Sequence, residues 1–307
     1  MGFDVVGLGC SAYDILCVTP RWPRLDEKVA VEDILQQGGG MTATALVAVA
    51  RLGGSAAMVG KVGDDDFGRF MVGELQTEGV DVRAVRFGPP GGSHFAFCVA
   101  DQSTGKRTIF YRRGQGEPLR ADEVDRDLIV SGRTLLVDGH HMEAAIRAAG
   151  WAKAAGIPVV MDAENYKEGL DELIERVDYL VPSREFAAHL TGADDPVEAA
   201  RLLTDRGPHT VIVTLGADGC AGVHRGEPIS QRAYRVQVVD TTGAGDVFHG
   251  VVCLGLAWGW KFRKILRYAS AVAGLKCRRL GGRTGIPSLA ETEEFLKSGI
   301  ELDPRET

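Results

Sequence analysis

The sequence predicts an α/β protein with an open, mostly parallel sheet and helices on both faces. Three observations carry this. Short β-type runs alternate with helix-like stretches through most of the chain. Glycines and capping residues mark the boundaries between them. Of the 307 residues, 45% are hydrophobic and 25% charged, which supplies a sizeable core.

The elements can be justified in order. Phe3 to Gly9 is an apolar run ending in glycine and reads as a buried first strand. Thr42 to Leu52 is rich in Ala, Val and Leu and closes on Gly53–Gly54, which suits a buried helix with a glycine stop. Ala56 to Val62 is strand-like. Phe67 to Glu78 is an amphipathic helix opened by three aspartates, whose charge suits the helix dipole. Alternation then continues: strands at Thr134 to Val137, Pro158 to Asp162, Tyr179 to Val181 and Thr210 to Leu215. Helices fall at Glu143 to Ala155, Leu170 to Arg176, Val197 to Thr204 and Val247 to Trp258, the third opened by Asp195–Pro196. Two stretches break the rhythm. Lys28 to Gln36 and Ser93 to Tyr111 read as strands without helices between them, the second turning at Asp101 to Gly105. They are expected to form a small antiparallel lid, spanning roughly 15–36 and 93–113, on a single domain covering 1–307.

Charge narrows the function. Lys and Arg number 35, Asp and Glu 42, giving a net charge of −7 without a basic run. Such a chain is poorly suited to nucleic acid or an anionic membrane. The six cysteines are scattered in apolar surroundings with no CxxC pair, as in a reduced, cytoplasmic protein. The start MGFDVVGLG lacks a signal peptide's basic region, and the apolar run Val251 to Trp260 is too short to span a bilayer.

The chemistry concentrates in Val239 to Gly250, VDTTGAGDVFHG. A polar, glycine-rich turn runs straight into an apolar helix. Gly243, Ala244 and Gly245 would aim backbone amides at one point on the helix N-terminus, where orphan N–H groups and the positive dipole end favour an anion. Asp246 sits beside that point, where it is expected to be ionised. An anion hole next to a carboxylate suits phosphoryl transfer: the carboxylate takes the proton of an attacking hydroxyl while the amides bear the charge of the moving group.

Asp240-Thr-Thr-Gly-Ala-Gly-Asp246 resembles the C-terminal signature of the ribokinase-like (PfkB) carbohydrate kinases. Gly38-Gly39-Gly40, Ala45 to Gly53 and Gly60-Lys-Val-Gly-Asp-Asp65 are similar to that family's N-terminal signature. The resemblance extends from Asp14 to the Gly281–Pro287 loop and implies a three-layer sandwich with a β lid. It implies ATP, Mg2+ and, in several members, K+. It assigns Asp246 as base, Gly243 to Gly245 as anion hole, and Asp14 with Gly39 and Gly40 as the sugar cradle. Thr214, Gly216 and Gly219 would form the nucleotide turn, with Ala273, Cys277 and Gly282 around the base and Asp240 and Thr242 beside a monovalent cation.

Several positions depart from the pattern. Thr44 stands where many members carry Asn, and a hydroxyl offers one donor where an amide offers two. The usual Asn-x-x-Glu element is replaced by Ser183-Arg-Glu-Phe186, leaving Glu185 one position off as the Mg2+ candidate. Val272 to Pro287 resembles the ketohexokinase and sulfofructose-kinase branches. Lys28 falls where the latter hold an anionic group, with Tyr111 and His140 replacing its companions. Arg107, Arg112 and Arg113 on the lid could meet an acidic substrate or form a solvated edge. Asp138-Gly-His140-His141 ends a predicted strand and reads as a pocket wall; adjacent residues rarely converge on one zinc ion. The partners implied are a sugar-like molecule and MgATP, with a homodimer through the lid. A nucleoside kinase and a non-catalytic ligand-binding protein on the same scaffold are the competing readings.

Overall fold

The computed structural model describes residues 2–31, 33–103 and 106–298. The chain enters on β1 (Phe3–Leu8), then β2 (Ala12–Thr19) and β3 (Asp33–Gly39), and turns into α1 (Met41–Arg51). Next come β4 (Ala56–Gly63), α2 (Asp66–Thr77), β5 (Asp81–Gly88), β6 (His94–Asp101) and β7 (Lys106–Arg112). The middle of the chain holds α3 (Arg126–Ser131), β8 (Gly132–Val137), α4 (Met142–Ala154), β9 (Val159–Ala163), α5 (Leu170–Ile174) and β10 (Tyr179–Pro182). It continues through α6 (Arg184–Thr191), α7 (Pro196–Thr204), β11 (Thr210–Thr214), β12 (Cys220–His224) and β13 (Glu227–Gln231). Three helices close it: α8 (Ala244–Ala257), α9 (Phe262–Lys276) and α10 (Leu289–Ser298).

Nine strands form the main sheet in the order β13-β12-β11-β10-β9-β8-β1-β4-β5. It is parallel from β11 to β5, with β12 and β13 antiparallel at one edge. Burial follows from the topology. Helices cover both faces, so central strands read as unbroken apolar runs; Val5, Val6 and Leu8 are all fully buried. One core layer packs α1, α8 and α9 on the sheet and the other packs α4, α5 and α7. α8 lies close against α1: a Cβ at Gly250 would stand 2.3 Å from the Ala45 carbonyl oxygen. Only glycine allows that approach, which fixes the height of Asp246 one turn earlier.

The second sheet, β3-β2-β6-β7, is the expected lid. It is not wholly antiparallel, because β2 pairs with β6 in parallel, Asp14 opposite Ala96. β3 starts at Asp33, so Lys28 lies in the preceding loop instead of on a strand. The turn expected at 101–105 extends into residues 104 and 105, outside the described ones. Strand β5, which the sequence did not announce, is an edge strand with Arg83 and Arg86 breaking its alternation. β12 and β13 escaped notice because they are short and rich in glycine, proline and polar residues. α9 was hidden by the basic residues of its first turns, although its buried Ile265, Leu266, Ala269 and Val272 keep helical spacing.

A buried arginine ties the C-terminal loop to the N-terminal glycines. Arg283 is 1% exposed and donates from its backbone N–H to Gln37 Oε1 (3.0 Å) and from Nη2 to the Gly39 carbonyl (3.0 Å). Its Nε lies 3.4 Å from Thr44 Oγ1 and its Nη1 3.6 Å from Glu74. Replacing it by Ala would strand the Gly39 carbonyl and the Glu74 carboxylate and empty a packed volume, while the backbone bond to Gln37 would remain. We predict that Arg283→Ala destabilises the fold by about 3 kcal/mol, measured by urea denaturation. A change within about 0.5 kcal/mol, the size of an ordinary surface substitution, would show that this tie is dispensable.

Candidate active site

The site lies where the carboxyl ends of β8, β9 and β11 meet the start of α8 and the inner face of the lid, the place where open parallel sheets bind ligands. Gly243 caps α8 in the left-handed conformation, φ 75°. The Ala244 amide donates to the Thr241 carbonyl (3.2 Å), while the amides of Gly245 and Asp246 have no hydrogen bond among the described residues. The free donors are thus Gly245 and Asp246, one residue further along than expected. Gly282 backs directly onto Gly243 and supports this turn.

Asp246 is half-buried, and its carboxyl pKa is raised well above the usual range. Burial is the first cause, followed by the charges of Asp162 and Glu164; His249 acts in the opposite sense. Against the expected pull of the helix end toward the ionised form stand low solvation and crowding by like charge, which raise the proton affinity of this carboxyl. A raised pKa makes a stronger base once the proton is gone. Asp162 is buried and raised for the same reasons. Beside it stands His249, whose Nδ1 lies 3.3 Å from Asp162 Oδ2 and whose Nε2 donates to the Val181 carbonyl (2.9 Å). Asp162, Glu164, His249 and Arg283 were not singled out from sequence. Asp162 had a signal, since it ends a predicted strand at the ligand-binding edge; the other three had none without the fold.

On the lid side, Asp14 is 9% exposed and its carboxylate makes no hydrogen bond among the described residues. Burial lifts its pKa to about 6, with Arg283 lowering it and Glu74 raising it. A Cβ at Gly39 would stand 2.0 Å from its Oδ2, so the glycine leaves the carboxylate its space. The backbone register sets Tyr111 on the same face of the lid as Asp14, but Tyr111 is 70% exposed. Thr44 is corrected: its hydroxyl is fully buried on α1 and faces Arg283, not a cavity. Lys28 is exposed, and no cavity described below is lined by it.

Asp138 proves to be a joint. Its carboxylate accepts from the amides of Cys10 (2.6 Å) and His140 (2.9 Å) and from Thr42 Oγ1 (2.8 Å). Burial opposes its charge, yet these donors and the His140 imidazole hold its pKa below the ordinary range. It fastens the end of β1 and the start of α1 to the wall formed by His140. Burial alone would depress His140, but Cys10 and Asp138 raise it.

Opposite the lid, an apolar cleft of about 270 Å³ opens beside the α8 turn. Thr214, Gly216, Gly219, Ala273 and Cys277 line it together with Ala244 and Gly245. Five expected nucleotide residues thus share one cavity with the anion-hole turn. Ser270 Oγ, in the same cleft, is buried and has no hydrogen-bond partner. Ser183 does not line it; its side chain caps α6 by accepting from the Phe186 amide (3.2 Å). Glu185 is exposed on the first turn of α6 while Phe186 fills the core. Asp240 is engaged within the chain. Its Oδ1 accepts from the Thr242 amide and hydroxyl (2.9 and 2.7 Å) and its Oδ2 from Gly281 N–H (2.8 Å). Lys276, fully buried, donates to its carbonyl (2.8 Å). Among the described residues, no group of three or more His, Cys, Asp or Glu is arranged to hold a metal ion, and no helix is long and apolar enough to cross a membrane.

A sheet-edge cradle, an apolar cleft and a helix N-terminus with a carboxylate between them define a phosphotransferase that uses an alcohol acceptor. Residues 4–289 match the model of the pfkB family carbohydrate kinases, and the chain belongs to that family. It is 32% identical to a 2-dehydro-3-deoxygluconokinase of Thermoproteus tenax, covering 96% of this chain and 94% of the relative. The Arabidopsis thaliana ribokinase complexed with ribose and ATP superposes with a TM-score of 0.81 at 26% identity, covering 97% of this chain and 99% of that one. An Escherichia coli structure described as ribokinase II, with ATP and Mg2+, gives 0.84 at 25%, covering 96% and 99%. The fold is ribokinase-like, and the chain is an ATP-dependent sugar kinase.

Two outcomes follow. A base role for Asp246 requires it to lose its proton, and the acid limb of kcat/KM is then expected above about pH 4, the ordinary carboxylate range. Asp162→Asn removes a repelling charge, which lowers the Asp246 pKa and moves the limb to lower pH by about one unit. A pH–rate profile checks this, and an unmoved limb would separate the two groups. Asp14, raised to about 6 in the folded state, costs stability wherever it is ionised, and that cost disappears as pH falls below its folded pKa. Asp14→Asn is expected to raise stability at pH 8 by up to about 3 kcal/mol, with the gain shrinking by pH 5. Melting curves at the two pH values decide it.

Proposed function

We propose that Asp246 is the general base of the sugar kinase and that the free amides of Gly245 and Asp246 stabilise the moving phosphoryl group. The observation that carries this is the shared position of the two: unbonded N–H groups and a carboxyl of raised pKa occupy the same first turn of α8, between cleft and cradle. Asp14 accepts from sugar hydroxyls, its carboxylate being unengaged in the chain. The base of ATP lies in the apolar cleft, where Ser270 offers an unsatisfied hydroxyl to a purine edge and Gly216 and Gly219 let the backbone approach closely.

Mg2+ neutralises the triphosphate. It keeps several waters and binds through substrate phosphates and one or two carboxylates, so a preformed cluster is not required. Glu164, whose charge acts on Asp246, is better placed to supply one than Glu185, which shows no influence on it. A monovalent cation beside Asp240 and Thr242 belongs to the same reading, and turnover rising with K+ at constant ionic strength is the outcome expected. Ile34, Ile109 and Phe110 on the lid are exposed, and a second copy of the chain is the partner proposed for them; sedimentation should show a dimer.

The order of events follows from these positions. The sugar hydroxyl is set between Asp14 and Asp246, its proton passes to the Asp246 carboxylate, and its oxygen attacks the γ-phosphorus in line as the bond to the β,γ-bridging oxygen breaks and ADP leaves. The α8 amides meet the charge that develops. Asp246→Asn is expected to cut kcat by about 10²–10⁴ while ATP affinity stays within a factor of a few. Coupled ADP release and nucleotide titration measure the two, and near-normal turnover in this variant would remove Asp246 from the chemistry.

A further inference from the structure

A second cavity, of about 220 Å³, shares no lining residue with the nucleotide cleft. Lys61, His94, Arg113, His140, His141 and Lys167 line it, against one acid, Glu117. The lid register explains its relation to the cradle. β2 and β6 pair Ala12 with His94 and Asp14 with Ala96, so His94 shares a face with Asp14 one pair further along. Arg113 continues the same row just past the end of β7, where Arg112 pairs with Phe95. Same-face neighbours two residues apart are about 6.6 Å from one another. On the sheet side His140 and Lys167 also line the small hollow that contains Asp138, Glu164 and Met41, which joins this cavity to the catalytic end of β9.

The lining is composed almost wholly of donors. Gly114 N–H donates to His94 Nδ1 (3.3 Å) and Leu119 N–H to His141 Nδ1 (3.1 Å). Each ring therefore carries its proton on Nε2. Burial keeps both neutral, with pKa values of about 4. His140 carries charge balanced by Asp138 at 3.4 Å, and Lys61 is balanced by Glu123 at 3.2 Å. Among the described residues, Arg113 and Lys167 have no carboxylate partner, and Lys167 donates to the Gly139 carbonyl, 3.4 Å away. Setting these two cations against Glu117 leaves one positive charge. A cavity of donors with one surplus positive charge fits a singly charged oxyanion.

We infer that this cavity binds the carboxylate of the sugar, so that the substrate is a sugar acid anchored by Arg113, Lys167 and the histidine donors while Asp14 holds its hydroxyls. The inference rests on the kinase reading for its catalysis but not for its binding. It also moves the anion contact away from Lys28, which the sequence pattern had favoured.

The experiment compares kcat/KM for gluconate and 2-dehydro-3-deoxygluconate with that for glucose, fructose and glucose 6-phosphate, in the wild type and in Lys167→Met and Arg113→Met. An acid is expected to be preferred over its neutral counterparts, and each substitution to lower the acid-to-neutral ratio by about 10–100-fold, the worth of one charged hydrogen bond, chiefly through KM. Preference for a neutral sugar or for the phosphate ester, or a ratio that neither variant moves, overturns the inference while leaving the kinase intact. If no sugar is phosphorylated, calorimetric titration of gluconate into the same three proteins decides. Binding weakened in both variants supports the site even as the kinase reading fails, and absent or unaltered binding overturns the site too.

Discussion

The structure turns on a crowding of carboxyl groups at the first turn of α8. Asp246, Asp162, Glu164 and Asp14 all act on one small volume, and the protein meets their mutual repulsion with a helix N-terminus, the His249 ring and the buried Arg283. Like charges at low solvation are costly, and folds that keep them do so for chemistry. Here the cost appears as raised proton affinity at Asp246, on the first turn of α8.

The rest of the architecture can be read as support for that turn. Gly250 lets α8 sink against α1, Gly282 backs Gly243, and Asp240 with Lys276 pins the loop that precedes the turn. Arg283 ties the loop after α9 to Gly39 and Gln37, so the nucleotide side and the sugar side share one buried fastening. Asp138 does the same for β1, α1 and the wall of the donor-lined cavity. Arg107, from the lid, reaches Thr241 in the phosphate turn, joining the lid to the loop it would cover. Polar groups buried in this manner gain little net stability, but they leave few alternative positions for the groups they hold.

Legibility differed by the range of the interaction involved. The glycine-rich run from Asp240 to Asp246 announces its function locally, because a helix N-terminus is built from consecutive residues. Asp195 and Asp65 cap their helices, as their positions before α7 and α2 suggested. Thr44 and Lys28 were misjudged for the opposite reason. Whether a hydroxyl on α1 faces a cavity or Arg283 depends on a loop 239 residues away, and whether Lys28 lies on a strand depends on where the lid's pairing stops. Ser183 belonged to a recognised position, yet helix capping claims its side chain.

Sequence by itself determined the alternation of strands and helices, the anion-binding turn and the carboxylate beside it, since each depends on periodicity or on neighbours within one helical turn. Tertiary structure alone decided the proton affinity of Asp246, which is set by side chains from β2, β9 and α8 together. It also decided which cations are free: Lys61 finds Glu123 across the fold, while Arg113 and Lys167 find no carboxylate among the described residues. Charge balance is a property of distances through space, and those are absent from the order of residues along a chain.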